Sequence, residues 1–536
     1  MQDLTNPVNG TEALMFAHRL PRGAMIDGVV ECENSDKGRL TFMLIGADKG
    51  VLHRAWSTAT GKSETATMTF STQVPNQGTW VGGVFALRGR NVDEAALRVV
   101  RLSLTFEKQA EVRPNIILLT LDTFRADCLS AMSERAPRTT VLDSLARAGV
   151  LFEDAVATSQ CTNPSHVSIL TGLYCFAHNV YTNHQGVSSE VVTLAEILKS
   201  HGYRTLGAVS ARHLNPETSN LDQGIDWFIE SRWKYPGGEP AGVRTAEVLR
   251  HFQQHYDETE PFFAWVHYFD PHTPYNPPSN YRERYPDDRT YDRVRYSNGM
   301  GRVAYDRRTG FVLDPQGEVN RYRGEVAYLD NQIGVLLNGL RHLGLLEKVV
   351  VVVVGDHGEG LGEHGVYFQH AGLFEPVIRV PLLLCGQGIP PGVRVHTRVS
   401  TLDIFPTVLA LAGVATVPET YGINLVPRMN GEETEERSLV YSEAVSGKIC
   451  AAWRDDLKYI WVPDGIPNDW TMPRRMLCFD LNVDPLERTN ILESTATDIA
   501  HVKAVWSTMV GSPLVSFEAF QGHHDEERLR ALGYLE

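Results

Sequence analysis

Four polar side chains stand where they could hold a cation next to a nucleophile. Asp122 follows an apolar run, and the pair Asp356-His357 follows a run of six valines. Carboxylate and imidazole groups are ordinary ligands of divalent cations, and a histidine ligand favours Zn²⁺ or Mn²⁺ over Ca²⁺ or Mg²⁺. We therefore predict one divalent metal ion, held by Asp122, Asp356, His357 and the hydroxyl of Thr162.

Thr162 is the candidate nucleophile of this group. A hydroxyl attacks poorly until a cation or a base lowers its pKa, and the same cation would offset charge on a substrate's non-bridging oxygens. Asn163 and Pro164 suit the first turn of a helix, and a helix N-terminus favours a docked anion. These residues predict an activated hydroxyl that faces a bound anionic ester.

The elements that must position these residues are predicted from the alternation of apolar and amphipathic segments after Arg113. That alternation indicates an α/β domain with a mostly parallel sheet. The predicted strands are Asn115–Leu121, Thr205–Val209, Phe262–Tyr268, Val349–Val354 and Pro381–Leu384, and the predicted helices are Thr140–Ala148, Thr193–His201 and Tyr322–Leu343. Ligands bind at the carboxyl ends of such strands. Asp122, His267 and Asp356 fall at or just past three predicted strand ends, so we expect them to converge in one crevice.

Two further regions flank the predicted catalytic domain of residues 113–429. Residues 1–112 contain short β-branched segments separated by turn residues, which predicts an antiparallel β-sandwich that serves packing, oligomerisation or substrate docking. Residues 430–536 are predicted to form a small α+β subdomain. Its predicted elements are the strands Leu439–Glu443, Ile449–Trp453, Lys458–Val462 and Met476–Asp480 and the helix Ser494–Val510.

Composition excludes several classes of protein. The chain has 536 residues, 43% hydrophobic and 21% charged, as in ordinary globular proteins. Its formal net charge of −15 disfavours a dedicated nucleic-acid binder. No apolar run approaches the roughly 18 residues of a membrane span, and no signal peptide is evident. The seven scattered cysteines suit reduced thiols, so we expect a cytoplasmic protein that could form a homo-oligomer.

The motifs from Arg113 to Glu536 together resemble a sulfatase-like member of the alkaline phosphatase superfamily. PNIILLTLDTFRAD resembles the family's first metal-binding strand, and CTNPSHVSILTGLY resembles its nucleophile motif. HYFDPHTPYNPP resembles the segment with substrate-facing histidines, and GDHGEGLGEHG resembles the second metal-binding segment. The resemblance implies an alkaline-phosphatase-like α/β core and a metal-dependent hydrolase.

The resemblance also implies roles for three histidines. His267 and His272 match histidines that contact substrate, and His370 stands where sulfatases place a lysine. These three side chains are expected to hold non-bridging oxygens or to protonate the leaving group. Glu359 and His364 are expected to cap loops or support the metal ligands.

The departures from the sulfatase pattern concern the nucleophile. Sulfatases carry Cys or Ser in C/S-x-P-x-R and oxidise it to formylglycine, whereas this chain has Thr162 there and His166 in place of the arginine. Cys161 lies one residue too early for that oxidation, and Thr123 replaces the second of the usual paired aspartates. Relatives with threonine are typically phosphodiesterases and phosphoethanolamine transferases. The expected function is cleavage of phosphate esters, diesters above all, through Thr162.

Other functions remain open at this stage. They are hydrolysis of sulfate esters by Thr162 without formylglycine, transfer of a phosphoryl group to an alcohol, and non-catalytic binding on a sulfatase scaffold. The expected substrate is a small anionic ester on a sugar, nucleotide or lipid headgroup. The long segment Tyr275–Arg321, rich in tyrosine and arginine, is expected to contact the organic part.

Overall fold

The computed structural model divides the chain into two compact units, Met1–Val112 and Arg113–Glu536. In the first unit it describes the backbone of eight strands. In the second it describes residues 113–492 apart from gaps at 233–237, 257–259, 283–284, 286–292, 298–299, 301–302, 416–417, 433–439, 445–448 and 462–476. The predicted helix Ser494–Val510 lies outside the described residues. The division into three domains stays a prediction.

The first unit contains two antiparallel sheets of four strands each. The strands are β1 (Val8–Asn9), β2 (Leu14–Leu20), β3 (Met25–Glu33), β4 (Asp36–Gly46), β5 (Val51–Thr58), β6 (Thr65–Gln73), β7 (Trp80–Arg90) and β8 (Ala96–Thr105). One sheet has the order β1-β8-β3-β6 and the other β2-β7-β4-β5. The short β-branched segments between turn residues thus form the antiparallel strands that their pattern predicts.

The second unit is built around a large mixed sheet. Its strands and those of three smaller sheets are β9 (Asn115–Leu121), β10 (Gly149–Val156), β11 (Arg204–Ala208), β12 (Trp227–Ile229), β13 (Phe262–Tyr268), β14 (Tyr305–Asp306), β15 (Phe311–Val312), β16 (Val349–Gly355), β17 (Gly360–Leu361), β18 (Tyr367–Gln369), β19 (Arg379–Gly386), β20 (Val393–Val395), β21 (Val399–Ser400), β22 (Val440–Ala444), β23 (Ile449–Arg454), β24 (Leu457–Trp461) and β25 (Leu477–Asp480). The large sheet has the order β12-β11-β13-β9-β16-β19-β10-β20, with β21 beside β10.

The centre of this sheet is parallel, as the sequence predicts. β11, β13, β9 and β16 pair in parallel, whereas β19 runs antiparallel to both of its neighbours. All residues of β9, β13 and β16 are buried. Alternate side chains of β9 join separate cores on the two faces, Ile116 and Leu118 in one and Ile117 and Leu119 in the other. Continuous apolar runs are required because both faces are covered.

Helices cover the sheet and connect its strands. They are α1 (Thr140–Ala148), α2 (Thr162–Thr171), α3 (Cys175–His178), α4 (Leu194–Ser200), α5 (Pro216–Ser219), α6 (Ala241–His255), α7 (Pro315–His342), α8 (Glu375–Ile378), α9 (Ile404–Leu411) and α10 (Val426–Met429). Within the described ranges, no helix is both long and apolar enough to cross a bilayer.

The long helix α7 begins earlier than the sequence pattern predicts. The helix starts at Pro315 rather than Tyr322, because Asp314 accepts a hydrogen bond from the Gly317 amide (2.9 Å) and Pro315 occupies the first position. The long segment Tyr275–Arg321 also contains the short hairpin of β14 and β15. The first turns of α7 lie near the sheet edge at which β9 and β16 end, called the catalytic edge below, because Tyr322 donates to the Thr123 carbonyl at 2.8 Å.

The small C-terminal sheet has the order β22-β23-β24-β25 and is antiparallel throughout. Its first strand joins the segment that precedes α2. Ser159 forms a bridge with Glu443, and the Glu443 amide donates to the Thr158 carbonyl at 2.9 Å. The C-terminal sheet thus helps to fix the segment that leads to Thr162.

Candidate active site

The register of two central strands brings the two aspartates together. Leu121, the last residue of β9, lies opposite Gly355, the last residue of β16. Asp122 and Asp356 are the next residues of their chains, and the Asp356 amide donates to the Leu121 carbonyl at 3.2 Å. Parallel strands with aligned ends therefore place both carboxylates side by side, as the sequence predicts.

Asp122, Asp356 and His357 form a group with the geometry of a metal site. One ligand atom from each lies within 4.8 Å of the others, and all three side chains are buried. Nε2 of His357 is 3.7 Å from Oδ1 of Asp122 and 3.6 Å from Oδ2 of Asp356. Oγ1 of Thr162 lies 3.3 Å from the same Nε2. The four predicted ligands are thus adjacent.

The chemistry of this group fits a divalent cation. Three carboxylate oxygens lack a well-formed hydrogen bond among the described residues: both oxygens of Asp122 and Oδ2 of Asp356. Burial raises the pKa of Asp122 well above its ordinary value, although the nearby Thr123 amide and Thr162 hydroxyl oppose the shift. Burial and then the charge of Asp122 likewise raise the pKa of Asp356. Two buried carboxylates that face each other without a cation are unfavourable, and a divalent ion would offset both charges.

The orientation of His357 suits a ligand. Its Nδ1 donates to the Gly358 carbonyl at 3.0 Å, so Nε2 carries the lone pair that faces the carboxylates. Burial, followed by the nearby His370, lowers the pKa of His357 well below its ordinary value. The ring is therefore neutral and able to coordinate.

Thr162 is the first residue of α2, and the helix is attached to the metal segment. The preceding Cys161 is extended, and its carbonyl accepts the first helical hydrogen bond, from the Ser165 amide at 3.0 Å. Pro164 fits the first turn because it needs no backbone hydrogen bond there. The Ser165 hydroxyl donates to the Asp356 carbonyl at 2.7 Å. This bond fixes the start of the helix next to the carboxylates.

His272 and His370 lie together at the same edge. Their ring centroids are 5.6 Å apart, and the His370 ring is 4.5 Å from that of His357. His272 donates from Nδ1 to the Thr273 carbonyl (2.7 Å) and stacks on Phe269. Burial, then the proximity of His370, lowers the pKa of His272 to about 3. Burial also lowers the pKa of His370. Both rings are neutral at pH 7.

His267 occupies a different position from the other two predicted histidines. Its Nδ1 accepts a hydrogen bond from the Ser210 amide at 3.2 Å, so Nε2 carries the proton. That Nε2 is 3.4 Å from Oδ2 of Asp122. Burial, followed by the charge of Arg244, lowers the pKa of His267 to about 3. A contact with Asp122 supports this carboxylate, and the predicted contact of His267 with substrate stays a prediction.

His166, which replaces the sulfatase arginine, lies inside the protein. Its Nδ1 donates to the Thr162 carbonyl at 2.7 Å, and its Nε2 accepts from the Thr120 hydroxyl at 2.9 Å. The Thr120 oxygen in turn accepts from the Trp265 indole at 3.0 Å. His166 therefore supports the backbone of the nucleophile.

The two predicted supporting residues, Glu359 and His364, have different surroundings. Glu359 is fully buried and accepts a hydrogen bond from Tyr275. His364 instead stacks on Phe374, with ring centroids 3.7 Å apart, and its Nε2 is 3.8 Å from Glu487. His364 therefore packs against the C-terminal region.

His213 was not predicted from the sequence. It follows β11, and its Nε2 is buried without a hydrogen-bond partner in the described part of the chain. Burial, then the neighbouring His267 and His272, lowers its pKa well below the ordinary value. A histidine four residues past a predicted strand end, at the edge where Asp122 lies, is the signal that could have identified it.

Comparisons with known proteins identify the family and the fold. The family model described as Sulfatase matches residues 114–414. The choline-sulfatase of Rhizobium meliloti is 26% identical over 442 residues, which cover 71% of this chain and 83% of that enzyme. The phosphonate monoester hydrolase of Agrobacterium radiobacter has a similar fold, with a TM-score of 0.58, 21% identity, and coverage of 74% of this chain and 95% of that one.

A second solved structure has a TM-score of 0.63 and 19% identity, and the match covers 74% of this chain and 98% of that protein. It was determined in complex with its substrate, D-glucosamine-2-N,6-O-disulfate. At these identities the two structural likenesses show a shared fold.

Proposed function

This chain belongs to the sulfatase family of ester hydrolases in the alkaline phosphatase superfamily, and we propose that it cleaves phosphate esters, diesters above all, with Thr162 as the nucleophile. One observation supports this assignment most directly. Oγ1 of Thr162 lies in the first turn of a helix and 3.3 Å from Nε2 of His357, next to the buried Asp122 and Asp356. That position requires no oxidised cysteine.

The first chemical step belongs to Thr162. A divalent cation held by Asp122, Asp356, His357 and Thr162 would lower the pKa of the threonine hydroxyl and offset charge on the non-bridging oxygens. Oγ1 of Thr162 loses its proton and forms a bond to phosphorus while the bond to the leaving alkoxide breaks in line with it, and the alkoxide takes up one proton. The products are an alcohol and an ester of Thr162, which water cleaves in the second step.

His272 and His370 are assigned to the phosphoryl oxygens and the leaving group. Because Nδ1 of His272 donates to the Thr273 carbonyl, Nε2 is the atom left for a substrate oxygen. Both imidazoles are neutral before substrate binds. An anion beside the rings would raise their pKa values and favour the imidazolium form, which can donate a proton.

The charges around the site favour a monoanionic ester. The guanidinium group of Arg125 is paired with Asp127 and Glu363, and that of Arg244 is paired with Glu239 and Glu247. Among the described residues these two arginines are therefore already neutralised by carboxylates. A phosphodiester carries one negative charge, whereas a phosphate monoester carries about two near neutral pH, so the diester is bound at lower electrostatic cost.

Hydrolysis of sulfate esters is the second candidate function. A sulfate ester is also a monoanion with a tetrahedral centre, and the choline-sulfatase of Rhizobium meliloti is related along most of its length. If this chain is a sulfatase, it must work with the hydroxyl of Thr162, because Cys161 lies outside the helix that the nucleophile begins.

Substitution of Thr162 tests both candidates. We expect Thr162→Ala to lose about three orders of magnitude in turnover while keeping its fold, and Thr162→Ser to keep part of the activity. Cys161→Ala is the matched control and should turn over normally. Rates would be measured on p-nitrophenyl phosphate, bis(p-nitrophenyl) phosphate, p-nitrophenyl phenylphosphonate and p-nitrophenyl sulfate.

Mass spectrometry of quenched reactions then identifies the intermediate. With bis(p-nitrophenyl) phosphate, the peptide containing Thr162 should carry a phosphoryl group that retains the second p-nitrophenyl ester. Wild-type turnover by Thr162→Ala would contradict the nucleophile. Formylglycine at Cys161, with loss of activity in Cys161→Ala, would establish the usual sulfatase chemistry instead. Preferential turnover of p-nitrophenyl sulfate by Thr162 would favour the second candidate.

A further inference from the structure

A buried hydrogen bond joins the loop of His272 to the loop of His357. The hydroxyl of Tyr275 donates to Oε2 of Glu359 at 2.9 Å, and both side chains are buried, with exposed fractions of 5% and 0%. Tyr275 lies three residues after His272, and Glu359 lies two residues after His357. Neither side chain is part of the reaction described above.

Glu359 is also fixed by the loop that follows β9. Nη1 of Arg125 donates to the Glu359 carbonyl at 3.0 Å. The Arg125 side chain is itself held by Asp127 and Glu363. Glu359 therefore links the segments after β9, β13 and β16, which carry Asp122, His272 and His357.

The ring of Tyr275 packs between two further parts of the site. Its centroid is 5.5 Å from that of Tyr322 and 6.3 Å from that of Phe368, both edge to face. Tyr322 donates to the Thr123 carbonyl, next to Asp122. Phe368 precedes His370 by two residues. The tyrosine thus contacts α7, the strand before His370 and the loop of His357.

We propose that Tyr275 and Glu359 are positioning residues that hold His272 and His370 in the reactive arrangement relative to His357. The proposal rests on the function proposed above. The His272 imidazole contacts the Thr273 carbonyl and the Phe269 ring, both in its own loop. Outside that loop it contacts the His370 ring, with centroids 5.6 Å apart. Its place relative to His357 therefore depends on how that loop is attached. Asp270 and Asn276 bind the loop to α6 and α7, and the Tyr275 hydroxyl supplies its bond to the loop of His357. A misplacement of about 1 Å can lower a rate about a hundredfold.

Tyr275→Phe tests the proposal because it removes one oxygen and keeps the packed ring. We expect kcat to fall about 10- to 100-fold with KM changed by less than about twofold, because the tyrosine does not touch substrate. The p-nitrophenyl ester that the wild-type protein turns over fastest would be the probe. Metal content and Tm would be measured on the same samples. A packing role alone would lower Tm and leave kcat unchanged.

Two variants of Glu359 test whether a conservative change preserves kcat and whether the effects of Tyr275 and Glu359 on kcat are coupled. Glu359→Gln keeps a carbonyl that accepts from Tyr275 and should retain most of kcat, whereas Glu359→Ala should resemble Tyr275→Phe. The double variant Tyr275→Phe with Glu359→Ala should be no slower than Glu359→Ala alone, because both changes break the same bond. Independent, multiplying losses in the double variant would overturn the proposal.

Tyr328→Phe is the matched control. The Tyr328 oxygen, on the same helix as Tyr322, accepts from the Gly242 amide at 3.0 Å and has no described contact with His272, His357 or His370. Its kcat should equal that of the wild type. Normal kcat in Tyr275→Phe, or loss of its metal, would overturn the positioning role. Failure of the positioning role leaves the proposed function intact if Thr162→Ala is inactive in the same assay. Activity in Thr162→Ala contradicts the proposed function itself.

Discussion

At the scale of single residues, the site depends on charges that are costly without a cation. Asp122 and Asp356 are both buried, and burial raises the pKa of each. His357 faces them with an unprotonated nitrogen. The folded chain therefore holds two carboxylates and an imidazole in an arrangement that suits a divalent ion. Without such an ion, the arrangement is electrostatically unfavourable.

Loss of one carboxylate should remove the metal. We expect Asp356→Ala to lose stoichiometric metal and turnover together, measured by elemental analysis and by hydrolysis of the p-nitrophenyl esters. The control for loss of a buried carboxylate is Asp403→Ala. Asp403 is a buried aspartate in the 3-10 turn Thr401–Asp403, elsewhere in the domain. Full metal content in Asp356→Ala would show that the ligand set is wrong.

Metal binding should release protons. Because the pKa values of Asp122 and Asp356 are raised in the chain without metal, these groups retain protons above their ordinary titration range, and a cation displaces them. Affinity should therefore fall as the pH is lowered from 8 towards about 5. Calorimetric titration in buffers of different ionisation enthalpy would measure the proton release. Affinity that is independent of pH, with no proton release, would contradict the raised pKa values.

At the scale of elements, the order of strands and the ends of strands decide which residues meet. The sequence predicts Asp122 and Asp356-His357 correctly as neighbours because the two apolar runs before them are unmistakable strands. Sequence alone does not predict the bond between Tyr275 and Glu359, which depends on where two loops fold. The early start of α7 is a second feature that the sequence pattern did not predict. Asp314-Pro315 is a helix start that is visible locally, but it is surrounded by residues typical of loops.

A buried ion group joins β24, α8 and the segment that follows β25. Lys458 of β24 lies 3.0 Å from Glu375 of α8 and 2.6 Å from Glu487. Burial raises the pKa of Glu487 to about 7, although the charge of Lys458 opposes the shift. The charge of Lys458 lowers the pKa of Glu375 against the effect of burial.

Lys458→Met should therefore destabilise the protein in a pH-dependent way. We expect a loss of about 3–5 kcal/mol in the free energy of unfolding at pH 8, because two buried carboxylates lose their cation. Without Lys458, whose charge opposes the effect of burial, the folded-state pKa of Glu487 rises further above its unfolded value, so the variant loses stability as pH rises towards 8 and recovers it towards pH 5. Thermal unfolding at both pH values would measure the effect.

Lys199→Met is the control for this prediction. Lys199 pairs with Asp226 at 2.8 Å, but its side chain is 47% exposed. Exposed pairs contribute about 0–1 kcal/mol, so a small change at either pH is expected. Equal losses in Lys458→Met and Lys199→Met would refute the importance of the buried group.

At the scale of the whole molecule, the chain consists of a β-rich unit of residues 1–112 and a unit that contains every candidate site residue. The family model begins at residue 114, at this boundary. The composition of the first unit predicts antiparallel strands but gives no chemical signal, so its role could not be predicted. The catalytic unit was predictable because its motifs carry polar residues at strand ends.

A chain that starts at Arg113 should keep the metal and the turnover of small aryl esters. All four candidate ligands lie in the second unit, whose residues form one compact body. Metal analysis and hydrolysis of p-nitrophenyl esters would check this expectation. A chain from Arg113 that is insoluble or lacks metal would indicate that residues 1–112 are an integral part of the catalytic fold.

The bridge between Ser159 and Glu443 has a consequence for synthesis on the ribosome. Ser159 precedes Thr162 by three residues, but its pairing partner is 284 residues further along the chain. At about 5–20 residues per second, translation of that interval takes roughly 15–60 s. During this time the segment before the nucleophile lacks its final neighbour, so the catalytic edge reaches its complete form only when most of the polypeptide has emerged. Nascent chains shorter than about 440 residues should therefore be exposed to chaperones and proteases at this segment.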